Sequence, residues 1–121
     1  MDDSVLENQT LMRAISFIKF NCIDTESRYL AASPILGKIL QKLIEDMNLK
    51  YENRISLNLE RAGPTFNLVY HGVKKNLERT IEWTDMEKSD KLNHIKNLAS
   101  PYILSDDMVV ELFDYAENQH R

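Results

Sequence analysis

Residues 33–49, SPILGKILQKLIEDMNL, limit what this chain can fold into more than any other stretch. Ile35, Leu36, Ile39, Leu40, Leu43, Ile44 and Met47 recur at spacings of one, three and four. That is the helical repeat, and it draws a broad apolar stripe with Lys38, Gln41, Lys42, Glu45, Asp46 and Asn48 opposite. Ser33 is suited to cap this helix and Pro34 to open it, where a missing N–H leaves nothing unbonded. Gly37 weakens the helix by about 1 kcal/mol relative to alanine, and is read as a place where another backbone approaches closely. Such a helix needs a partner surface, inside the same chain or on another.

A chain of 121 residues forms one domain, 1–121, large enough to bury a core unaided. The lone Cys22 excludes an internal disulfide framework and a cysteine-rich zinc site. The opening residues MDDSVLENQT are acidic and polar, the wrong chemistry for a targeting segment. No apolar run approaches the length of a membrane span. A cytoplasmic location is expected, and the sequence does not rule out a nuclear one.

A first helix is expected over residues 4–23. Val5, Leu11, Met12, Ile15, Ile18 and Cys22 share a stripe, and Phe17, Phe20 and Ile23 widen it beyond one face. A helix apolar on so many sides is covered on more than one, by its own chain or by a second copy. A short helix through Tyr29–Ala31 follows, and Ser33-Pro34 turns a corner.

Residues 50–72 admit two readings. Ile55, Leu57 and Leu59 alternate with polar residues, and Arg61-Ala62-Gly63-Pro64 is turn chemistry, so 55–70 reads as a β-hairpin. Alternatively a helix runs from Pro64 to Trp83, gathering Phe66, Val69, Tyr70, Val73, Leu77 and Ile81 on one face. The helix is preferred, since one stripe explains all six residues and an isolated hairpin needs further support. A shorter helix ends at Leu98, Ser100-Pro101 breaks it, and Ser105 caps a last one with Asp106 and Asp107 in its first turn. Residues 118–121 are expected to fray. The fold class is therefore all-α, a small bundle of four to six helices. The alternative is α+β, with the 55–70 hairpin packed on helices.

The usual signatures of chemistry are missing. His71, His94 and His120 have no metal-ligand spacing, and His71, beside Tyr70, is expected to be the most structured of them. Glu45-Asp46 and Asp106-Asp107 are adjacent pairs that cannot face each other on a helix. Gly37, Gly63 and Gly72 do not cluster into a phosphate loop. No cofactor and no enzymatic role are expected.

Two kinds of partner remain. The first is another protein, or a second copy, docked on apolar helix faces: Phe17, Phe20 and Ile23 on the first helix, and Leu36, Leu40 and Leu43 on the central one. Asp106, Asp107 and Glu111 of the last helix would steer a basic partner. The expected role is an adaptor, a chaperone-like partner or a regulatory subunit. The alternative is nucleic acid, held by Lys50, Arg54, Lys74, Lys75 and Arg79. Against it stand the net charge of −4 and the acids Glu78 and Glu82, spaced to pair with those bases along the helix.

Overall fold

The computed structural model describes residues 3–22, 27–50 and 55–121. Six α-helices and no strand occur among them: α1 Asp3–Ser16, α2 Ser27–Ala31, α3 Pro34–Lys50, α4 Phe66–Glu78, α5 Lys88–Ala99 and α6 Asp106–Gln119. The all-α expectation holds, and the 55–70 hairpin does not form. Residues 55–59 instead make a single parallel bridge, Asn58 to Ile103. Asn48 anchors the start of this segment: its side-chain amide donates to Ile55 O at 2.9 Å and accepts from Ile55 N–H at 2.8 Å.

α4, α5 and α6 pack against one another, and α1 packs on α3. The two groups meet through a π-helical turn, Phe17–Asn21, that continues α1 and lies against both α2 and α4. Its wider bonding, Cys22 N–H to Phe17 O at 2.8 Å, carries Lys19 and Phe20 inward and leaves Phe17 outside. One core cluster joins these layers, with Leu40 and Ile44 from α3, Val69, Val73 and Leu77 from α4, Ile95 and Leu98 from α5, and Leu112 from α6.

Two glycines allow these approaches. A Cβ on Gly37 would lie 2.3 Å from Ser100 Oγ, so α3 does admit the turn after α5 at close range. A Cβ on Gly72 would lie 2.7 Å from Phe20 Cα, so α4 touches the backbone of the π-turn. Gly72 lies within the apolar stripe of α4 and is where that stripe docks.

The capping expectations are met at two ends. Leu36 N–H donates to Ser33 Oγ at 3.3 Å, and Met108 N–H to Ser105 Oγ at 3.2 Å. Three expectations need correction. The helix drawn to Trp83 ends at Glu78, and Ile81 is 71% exposed instead of sharing its inner face. Thr80 Oγ–H donates to Asn76 O at 2.8 Å, turning the chain out of the helix. The first helix is α-helical only to Ser16. Finally, α6 runs through Gln119, and His120 is docked: its Nε2–H donates to Leu77 O at 2.7 Å and its ring stacks on Trp83.

Candidate functional site

The faces singled out in the sequence divide sharply by burial. Phe20, Leu40 and Leu43 belong to the core, and Leu36 is half-buried against it. The first three hold the fold together and offer no outer face, and Leu36 shows only part of its side chain. Ile23 lies outside the described residues, as does Arg54. Phe17 is different. It is 56% exposed on the turn that continues α1.

Exposed apolar side chains continue along α1. Leu6 and Leu11 are each about half exposed and, with Glu7 and Thr10, border an open depression of 440 Å³. Ile15, one turn beyond Leu11, is buried. α3 repeats the pattern. Leu40, Leu43 and Ile44 face the core, while Ile35, Ile39 and Leu49 stand in solvent beside Lys38 and Lys42. The reason is local: both helices carry more apolar residues than one buried flank of a small bundle can take.

The acids of α6 are partly committed within the chain. Glu111 Oε2 accepts from Arg61 Nη2 at 2.6 Å and from the Tyr70 hydroxyl at 2.9 Å. These bonds, the Arg61 guanidinium first, hold its carboxyl below the usual carboxylate range. Glu117 Oε1 accepts from Lys91 Nζ at 2.6 Å and from the Trp83 indole at 3.2 Å. Asp106 and Asp107 remain exposed at the start of the helix.

The basic residues do not assemble. Arg79 turns inward, donating to Cys22 O at 3.0 Å and to Asn76 Oδ1 at 2.8 Å. Lys74 sits over the rings of Tyr70 and Tyr115, 5.1 and 5.0 Å from their centroids. Glu78 accepts from the Tyr115 hydroxyl, so the helical pairing expected of it is replaced by a bond to α6. Lys75 and Lys50 stay exposed.

Sequence reasoning missed a buried polar chain that begins at Lys19. This side chain is fully buried, and its ammonium donates to Ala31 O at 2.6 Å and Asn97 O at 3.2 Å. Ala31 closes α2 and Asn97 lies in the last turn of α5. Lys19 thus satisfies carbonyls at two helix ends, where backbone acceptors lack partners and the dipole favours a cation. Burial still lowers its pKa to about 8. Asn76 continues the chain, its Nδ2 donating to Lys19 O at 2.9 Å and to Gly72 O at 3.1 Å.

The chain ends at His94, whose Nε2 is 3.0 Å from Thr80 Oγ1. The Thr80 proton goes to Asn76 O, so the ring nitrogen must donate, fixing the Nε2–H tautomer. Burial lowers the pKa of His94. His71, expected to be the structured histidine, is exposed; His94 and His120 take that part. Their partners lie 14 and 43 residues away in sequence, beyond any local pattern.

Among the described residues no cluster of metal-ligating side chains occurs, and no helix is long and apolar enough to cross a membrane. No family model, curated protein or solved structure matches this chain.

Proposed function

We propose that this protein is a non-enzymatic interaction module that docks another protein, or a second copy of itself, on the outer flank of α1 and its π-turn. The observation that carries the reading is the exposure of Leu6, Leu11 and Phe17 on one continuous helical segment. Each withdraws about half its surface from the core while Ile15 and Phe20, on the same segment, are buried. Covering such side chains is worth roughly 25 cal/mol per Å² of apolar area, before the losses of association. Exposed Asp106 and Asp107 would give the approach of a basic partner its direction. The nucleic-acid alternative draws less support, because Arg79 turns inward and Lys74 lies over two tyrosine rings.

The test compares the wild type with Leu6→Ser/Leu11→Ser/Phe17→Ser. Mass in solution and affinity capture from the host are measured on both. The variant is expected to keep its melting temperature within a few degrees, because exposed positions contribute little to stability. It should lose the self-association or the partner that the wild type shows. A wild type that is monomeric and captures nothing beyond what the variant captures would defeat the proposal.

A further inference from the structure

Ile103 shows how this fold seats an extended residue. Its N–H donates to Leu57 O at 2.7 Å, and its carbonyl accepts from Leu59 N–H at 2.9 Å. The acceptor and donor that hold it stand two residues apart on one side of the 57–59 segment. In a trans peptide the C=O and N–H point to opposite sides, so Tyr102 C=O and Leu104 N–H, which share peptides with Ile103 N–H and Ile103 C=O, face away from 57–59. Tyr102 N–H donates to Ala99 O at 3.0 Å. Tyr102 C=O and Leu104 N–H make no hydrogen bond among the described residues. They too are an acceptor and a donor two residues apart, the arrangement that Leu57 and Leu59 present to Ile103.

This pair borders a cleft of 510 Å³ between α3, the end of α5 and the start of α6. No residue of 55–60 lines it; that segment borders a separate hollow with Gly63 and Pro64. The cleft is therefore on the unpaired side of 102–104. Its volume falls within the range of about 300–1,000 Å³ typical of ligand sites.

We propose that the cleft docks an extended peptide by parallel strand addition to residues 102–104. One peptide residue would donate to Tyr102 C=O and accept from Leu104 N–H, as Ile103 does on the other side. Gln41, Asn97 and Ser100 stand around it as side-chain partners for the flanking peptide groups, and Leu104 and Val109 offer an apolar contact. Lys96 and Asp106 place opposite charges at the cleft, so the fitting segment is one without strong net charge. A helix does not fit this role, since its backbone groups are already bonded to each other. The site is separate from the α1 flank and stands or falls without it.

The test pans a random heptapeptide display library against the full chain and titrates the enriched peptides into isotope-labelled protein. Binding should shift the Leu104 amide and slow its hydrogen exchange. Leu104→Pro should weaken binding about tenfold, the worth of one backbone hydrogen bond left unmade, while Leu104→Ala leaves it within about twofold. Proline at 104 removes the donor and asks only that residue 103 stay extended, which it already is. Should that variant fail to fold, N-methylation of the peptide at each position in turn carries the same comparison, and one position should lose about tenfold. Peptides that bind the proline variant as well as the wild type would overturn the proposal. So would tolerance of N-methylation at every position, or no enrichment over a blank surface.

Discussion

Lys19 keeps its ammonium out of water between the ends of α2 and α5, and the consequence is measurable in pH. Burial lowers its pKa from 10.5 to about 8. Between those values the unfolded chain holds the proton and the folded chain does not. Unfolding then takes up a proton, and stability rises as pH increases through that window. The slope is on the order of 1 kcal/mol per pH unit. Above it the tyrosines act in the opposite direction. Tyr115 is pushed up to about 12 by its bond to Glu78 and by burial, and Tyr70 and Tyr102 are raised chiefly by burial. The folded state retains those protons longer than the unfolded state, so stability falls again as pH climbs past the usual tyrosine range. Urea unfolding of the wild type at steps from pH 7 to 11 should therefore pass through a maximum. In Lys19→Met the rising limb should be absent while the fall remains. A rising limb of equal slope in the variant would remove Lys19 as its source.

At the scale of elements, the glycines set how closely helices approach. Alanine at 72 gains about 1 kcal/mol of helix propensity. It also drives a Cβ to within 2.7 Å of the Phe20 backbone, which cannot rotate away. Overpacking of that kind costs about 3 kcal/mol, so Gly72→Ala should destabilise by about 2 kcal/mol. Gly37→Ala meets first the hydroxyl of Ser100, a side-chain end that can turn aside, and should be milder. Denaturant midpoints for the two variants check the order, and the reverse order would contradict the contact assigned to Gly72. The sequence made most helices legible because their apolar spacing is local, and it made the Ser33 and Ser105 caps legible because capping is local too. It misplaced the end of α4 because Ile81 continues the helical spacing while Thr80 bonds back to Asn76 and stops the helix. Residues 55–59 alternate as a strand would, but the chain bends at Leu57, and among the described residues the segment bridges only to Ile103, far along the chain.

The molecule as a whole is unequal in how its helices are held. α4, α5 and α6 pack on one another around Val73, Leu77, Ile95 and Leu112, all fully buried. α1 packs only on α3 and the π-turn among the main helix contacts, with Ile15 buried and Met12 half-buried against the core. Opening α1 uncovers Ile15, Met12 and the part of α3 they pack on, whereas opening α4 exposes the centre of the core and the buried Asn76 bonds. Native-state hydrogen exchange should reflect that difference. Amides in the middle of α4 should exchange only with global unfolding, with a denaturant dependence equal to the global one. Amides of α1 should exchange through a smaller opening of lower free energy and weaker denaturant dependence. The same weakness explains why the exposed flank was only partly legible. The excess of apolar residues on the first helix was visible in its spacing, but which of them turn outward depends on the wider π-turn that buries Phe20 and leaves Phe17 in solvent. If a partner covers Leu6, Leu11 and Phe17, its binding should raise the protection of α1 toward that of α4, because docking adds to α1 the burial it lacks alone. Protection of α1 equal to that of α4 in the monomeric protein would mean that the helix already has all the packing it needs, and its outer flank would have no stability left to gain.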